Sequence, residues 1–251
     1  MTHLTAIVLT YNEENYIKDC LKSIAFTDTQ IVFDSYSTDK TVEIATQMKA
    51  KVIKNEFKNF AEQRNAALLA VADSTDWVLF VDADERVPND LAEEIRLVIM
   101  QNEAVGYQIP RHNFIFGKLT KGAGWYPDYQ TRLLKVGKSH YENPVHEVVI
   151  LEGERGTLSN HFIHHNYRDL PHFIQTQEKY VRYDAKIMFD KGIKPKPQNY
   201  ILQPLRHFKW RFFELKGYTD GWHGFRLSTL MAWYELKKYV TLRKFWNQKE
   251  A

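Results

Sequence analysis

Trp77-Val78-Leu79-Phe80-Val81-Asp82-Ala83-Asp84-Glu85 is the stretch that decides the fold. Five apolar residues in a row, preceded by the polar Asp76, read as a strand buried on both faces. The carboxylates that follow fall at its carboxyl end, where open α/β sheets bind their ligands. Neighbouring acidic groups repel one another, so a cation is their natural partner. Oxygen ligands select a hard divalent ion, Mg²⁺ or Mn²⁺, usually held by one or two carboxylates together with substrate phosphates. Strict strand alternation would send Asp82 and Asp84 to one face, with the small Ala83 between them. The competing reading is a solvated acidic loop.

Upstream, the same unit recurs. Ala6-Ile7-Val8-Leu9 is a short apolar run that breaks at Thr10-Tyr11-Asn12-Glu13-Glu14. Ile17, Cys20, Leu21 and Ile24 then mark one face of a helix, with Asn12 in position to cap it. Ile31-Val32-Phe33 leads into Asp34-Ser35-Tyr36-Ser37-Thr38-Asp39 and a helical stretch carrying Val42, Ala45 and Met48. Val52-Ile53 predicts a third strand, and Phe60, Ala67, Leu68 and Val71 a third helix. Strands alternating with short helices predict an α/β protein with a mostly parallel sheet flanked by helices. The polar turns at 10–14, 34–39 and 82–85 should gather along one edge.

These motifs resemble the inverting family 2 glycosyltransferases of the GT-A (Rossmann-like) fold. The family's pattern is matched by Tyr11-Asn12-Glu13 after the first strand, Ser37-Thr38-Asp39 after the second and Asp82-Ala83-Asp84 after the fourth. Within it the chain looks most like the enzymes that add glucose to the inner core of bacterial lipopolysaccharide. The cues are Phe60-Ala61-Glu62-Gln63-Arg64-Asn65, Trp125-Tyr126-Pro127-Asp128, Val145-His146-Glu147 and His164-His165-Asn166-Tyr167. Two departures are Tyr36, where the family usually has a smaller residue, and Ser35, where many members have a second Asp.

The resemblance implies a UDP-sugar donor and a saccharide or glycolipid acceptor. Asp84 is then the main metal ligand, with Asp82 nearer the ribose or sharing the metal, and His164 the third protein ligand, in competition with His165. Glu147 is the expected general base and Asp128 the reserve. Thr10, Tyr11, Asn12, Glu13 and Asp39 would hold the nucleoside end of the donor. Arg64 and Arg132 offer planar forks to a donor phosphate or an acidic acceptor, or else form structural ion pairs. In-line attack would invert the anomeric centre. A transferase to polyprenyl phosphate and a non-catalytic carbohydrate- or lipid-binding protein are the alternatives. A nucleotidyltransferase or P-loop enzyme lacks its glycine-rich phosphate loop after Leu9.

With 251 residues, 44% hydrophobic and 26% charged, the chain can bury a full core. The single Cys20 excludes an internal disulfide and falls on an apolar helix face. No basic leader or run of about 18 apolar residues is present, so the expected location is cytoplasmic, with peripheral attachment to the inner face of the membrane as the alternative that the basic tail raises. A strand-and-loop region over 106–167 and a helix from about Pro171 to Lys191, stopped by Gly192, complete a catalytic domain at 1–192. After the Lys194-Pro195-Lys196-Pro197 linker comes a basic, aromatic helical appendage, 193–251. From Tyr200 onward there are ten Lys or Arg against four Asp or Glu, and 13 of the 35 aromatic residues. That composition suits either packing onto the catalytic domain or an anionic membrane surface, and it lacks a nucleic-acid signature.

Overall fold

A computed structural model describes residues 2–143 and 147–250; Val145 and His146 of the expected triplet lie outside the described residues. The strands β1 (Leu4–Thr10), β2 (Thr29–Asp34), β3 (Lys51–Lys54) and β4 (Trp77–Asp82) alternate with α1 (Ile17–Ser23), α2 (Thr41–Gln47) and α3 (Phe60–Leu69). They pair in parallel in the order β3-β2-β1-β4. The register sets Leu9 beside both Phe33 and Asp82, so the turns after β1, β2 and β4 leave the sheet along one edge.

Period-two alternation fills both faces of this sheet. Leu4, Ala6, Val8, Trp77, Leu79 and Val81 pack with Ile17, Cys20 and Leu21 of α1. Ile7, Phe33, Val78 and Phe80 pack on the other side with Ala67 and Leu68 of α3. Phe60, expected on the α3 stripe, is exposed; it precedes the first buried turn. A two-residue strand β5 (Glu85–Arg86) leads into α4 (Asn89–Gln101), an element the expected order omits. Its signal is the i, i+4 spacing of Leu91, Ile95 and Ile99, all buried.

Residues 106–167 form strands, as expected: β6 (Gly106–Ile115), β7 (Lys118–Thr120), β8 (Tyr129–Lys135), β9 (Ser139–Glu142), β10 (Val148–Leu151), β11 (Arg155–Thr157) and β12 (Phe162–Tyr167). β8 extends the parallel block by pairing antiparallel with β4, Val78 opposite Leu134. Contacts divide the chain into two compact units, 1–111 with 128–164, and 112–127 with 165–251.

In the second unit, α5 (Leu170–Asp190) starts at Asp169, whose carboxylate accepts the His172 N–H at 2.8 Å. Phe173 and Val181 of α5 pack with Leu227 and Tyr234 of α7 (Trp222–Glu250). α6 (Asn199–Lys209) runs into a π turn at Trp210–Glu214, where the Leu215 N–H reaches back to the Trp210 carbonyl at 2.8 Å. Gly224 lets α7 begin against a neighbouring turn: a Cβ there would stand 1.8 Å from the Gly217 carbonyl oxygen.

His207 of α6 accepts a hydrogen bond from Arg211 Nε at 2.8 Å. Burial, aided by the Arg211 charge, holds its pKa down at about 4 against an ordinary 6.5. The unfolded chain therefore binds the proton first, and stability present above pH 6.5 is lost as pH falls toward 4. Thermal melting of the full chain across that window should show a loss of about 2 kcal/mol. His207→Gln, which keeps an acceptor for Arg211, should flatten the profile; an equally steep variant profile would assign the loss elsewhere.

Candidate functional site

The turns after β1 and β2 are tied to each other by hydrogen bonds. The buried Asp34 carboxylate accepts the Thr10 hydroxyl at 2.9 Å, the Ser37 N–H at 2.9 Å and the Ser37 hydroxyl at 2.5 Å. Asn12 is left-handed at φ 59°; its N–H donates to Ser37 Oγ at 2.9 Å and its side-chain oxygen accepts the Thr38 N–H at 2.8 Å. Asn12 therefore bridges the two turns, and the helix it was expected to cap begins only at Ile17. The Glu13 N–H donates to the Thr41 hydroxyl at 2.7 Å, and the Glu14 N–H to Asp39 at 3.0 Å. Burial raises Asp39, yet hydrogen bonds from Thr41 and Glu14 outweigh it and hold the carboxyl below its ordinary value. Burial, with Asp84, Asp39 and Asp82 nearby, raises Glu13 to about 7. Thr10, Tyr11, Asn12, Glu13 and Asp39 thus converge, with the Tyr11 ring 61% and the Tyr36 ring 56% exposed beside them.

The two carboxylates of Asp82-Ala83-Asp84 have different partners. β4 ends at Asp82 and the next two residues turn, so the strand alternation expected to align them does not reach Asp84. Asp82 pairs with Arg132, and with Arg64 at 3.4 Å. Burial opposes its charge, but these two guanidiniums prevail and hold its pKa well below the carboxylate range. Asp84 instead meets His164 Nε2 at 3.3 Å. Burial lowers His164, and the Asp84 hydrogen bond more than offsets it, leaving its pKa raised. His165, the competing candidate, has its ring 5.9 Å from Phe114.

Among the described residues no three His, Cys, Asp or Glu side chains group to hold a metal by themselves. A carboxylate and an imidazole within 3.3 Å nevertheless form a two-ligand set that fits a divalent ion whose remaining positions are filled by substrate oxygens.

Gln63-Arg64-Asn65 fasten α3 to three different places. Gln63 donates to Ser35 Oγ at 3.0 Å, which accounts for a small hydroxyl at that position. Arg64 sits over the Phe80 and Tyr141 rings and reaches Glu147 at 3.6 Å. The Asn65 amide both donates to and accepts from the Tyr141 backbone, each at 2.8 Å. Glu147 and Arg132 line a cavity of about 210 Å³ with Arg64, Tyr141 and Arg155. Asp128 takes Arg111 at 2.7 Å and Gln130 at 2.9 Å. Three supports were missing from the expected set. Asp34 joins the turns, Glu85 is fully buried against Arg111 and the Asp82 N–H, and Arg86 donates to the Ala83 and Tyr16 carbonyls. Burial of a charged residue leaves no periodic signal, so only the acidic run hinted at Glu85.

A sequence model described as Glycosyl transferase family 2 matches residues 5–151. The chain belongs to that family. Lipopolysaccharide core biosynthesis glycosyltransferase LpsC of Rhizobium meliloti (strain 1021) is 25% identical over 236 residues, covering 88% of this chain and 85% of its own length. An uncharacterized glycosyltransferase of Rickettsia bellii (strain RML369-C) is 25% identical over 96% of this chain and 86% of its own. The structure of S. aureus TarS 1–349 in complex with UDP-GlcNAc aligns at a TM-score of 0.50 with 15% identity, over 99% of this chain and 92% of that one. At that identity the likeness concerns the fold, which is GT-A.

Because Asp34 is buried with three donors, Asp34→Ala in this family 2 chain should lower unfolding stability by about 2–4 kcal/mol. Thr10→Val, which removes one of those donors, should cost less. Urea denaturation would measure both; an Asp34→Ala chain as stable as the parent would refute the bridging role.

Proposed function

We propose that this family 2 glycosyltransferase transfers glucose from UDP-glucose, with inversion, to a saccharide or lipid-linked acceptor in lipopolysaccharide core or other cell-envelope glycan assembly. The observation that carries it is the turn at Asp82–Asp84: Asp84 meets His164 and lies near Glu13 of the β1 turn, and Asp82 shares Arg64 with Glu147. The likeness to LpsC supports the choice of product class.

In this reading Asp39, with Thr10, Tyr11, Asn12 and Glu13, receives the nucleoside, the exposed Tyr11 ring offering a stacking face. Asp84 and His164 are the ligands for Mg²⁺ or Mn²⁺, and Asp82 orients the ribose side while pairing with the arginines. A divalent ion held there neutralises charge on the departing diphosphate. Glu147 accepts the proton of the acceptor hydroxyl as its oxygen attacks the anomeric carbon opposite the leaving UDP. An α-linked donor then yields a β-linked product. Asp128, held by Arg111, serves acceptor binding and is the reserve base. Catalysis is assigned to 1–192 and surface attachment to 193–251.

UDP release from UDP-glucose tests the reading. It should require a divalent ion, be abolished by EDTA and by Asp84→Ala, and fall roughly 10²- to 10⁴-fold in Glu147→Gln with donor affinity little changed. Metal-independent release by the intact chain would overturn the metal role, and collapse of donor binding in Glu147→Gln would move the base to Asp128.

Attachment to an anionic lipid surface on the inner face of the membrane is part of the same proposal. No helix among the described residues is long and apolar enough to cross a membrane. Leu205, Phe213 and Trp222 are exposed in the basic segment after Tyr200, where each basic residue near an anionic surface contributes about 1 kcal/mol. The full chain should sediment with anionic vesicles and be released partly by salt. Replacing those three residues with serine should remove the salt-resistant fraction. Equal sedimentation with neutral vesicles would sink the electrostatic component.

A further inference from the structure

The cavity beside Glu147 is lined by Arg64, Arg132 and Arg155, with Tyr141 and Thr131 completing one wall. Its volume of about 210 Å³ is roughly seven times one liquid water's share and below the size that encloses a whole ligand, so it suits one group of a larger molecule. Three of the side chains lining it keep a buried donor with no hydrogen-bond partner among the described residues: Arg64 Nη1, Arg132 Nε and Tyr141 Oη. Arg64 and Arg132 are 4% and 6% exposed. Buried donors are nearly always satisfied, so three orphan donors on side chains that line one cavity make a cationic, donor-rich wall suited to an acceptor. Around it stand three guanidiniums against the carboxylates of Glu147 and Asp82, a net positive charge.

None of Thr10, Tyr11, Asn12, Glu13, Asp39, Asp84 or His164 lines this cavity, whereas Glu147 does. A molecule seated there meets the proposed base and the two arginines that could serve either a donor phosphate or an acidic acceptor, but none of the proposed nucleoside-binding or metal residues. It is therefore placed as an acceptor. We propose that the cavity is an oxyanion subsite, and that the acceptor carries a phosphate or carboxylate close to the hydroxyl that is glycosylated. Guanidinium forks suit either oxyanion, and they would orient the hydroxyl toward Glu147 by fixing its neighbour. This rests on the transferase reading above and adds the acceptor's charge to it.

Calorimetric titration of the full chain at fixed ionic strength tests it, with inorganic phosphate and acetate as probes, each with and without saturating UDP and Mn²⁺. Phosphate should bind, and its affinity should change less than about twofold when UDP is present. Arg155→Gln and Tyr141→Phe should each weaken it by about threefold to tenfold. Tyr141→Phe removes an unpaired hydroxyl, so its melting temperature should not fall; a purely structural Tyr141 would leave phosphate affinity unchanged. If that variant folds poorly, the exposed Arg155 position decides. Acetate binding in parallel with phosphate would extend the subsite to carboxylates, and phosphate alone would assign a phosphorylated acceptor. Displacement of phosphate by UDP would make the cavity part of the donor site and overturn the proposal, as would no phosphate binding or unaltered variants. Phosphate binding without any UDP binding would instead strike at the transferase reading and leave the anion site standing.

Discussion

The side chain of Asp82 lies between two guanidiniums, and much of the site depends on that arrangement. Arg64 comes from α3 and Arg132 from β8, and both are almost fully buried. Without Asp82 each would be a charge with little water around it, and breaking such a pair costs about 3–5 kcal/mol. The pairing also positions what surrounds it. Arg64 stacks over Phe80 and Tyr141 and leans on Glu147, so one carboxylate at the end of β4 holds in place the neighbour of the proposed base.

Such an arrangement favours, in the proposed reading, a ribose-side role for Asp82 over a share of the metal. A carboxylate already shared by two arginines is a poor ligand, because a cation would have to displace favourable partners. Asp84 stands beyond the strand end and has the softer restraint of one imidazole. Two acidic residues two positions apart thus have different partners, Asp82 two guanidiniums and Asp84 one imidazole, and the proposed metal role falls to Asp84.

The parallel block was legible in the sequence because its apolar runs are short, contiguous and punctuated by polar turns. Each of Ile17, Cys20, Leu21 and Ile24 is buried as its spacing implied. α4 is just as legible through the i, i+4 spacing of Leu91, Ile95 and Ile99. The turn residues converge as expected, but the agents of convergence were not visible. Asp34 and Glu85 act from inside the protein through hydrogen bonds to residues 24 and 26 positions away. No local pattern records a partner at that distance. Asn12 shows the same limit, since a capping residue and a bridging residue have the same chemistry and only the fold chooses between them.

The placement of β8 has a consequence for synthesis. β4 is an edge of the parallel block until Tyr129–Lys135 arrives to pair with it, 47 residues after Asp82. At ribosomal speeds of about 5–20 residues per second that is a wait of roughly 2–9 s. During it, Trp77-Val78-Leu79-Phe80-Val81 presents an unpaired apolar edge of the kind that recruits other nascent chains. Asp76 and Asp82 bracket this run. Charges flanking a sticky segment act as gatekeepers against such association. The carboxylate that later anchors two arginines thereby begins its service earlier, as a guard on the ribosome-bound chain.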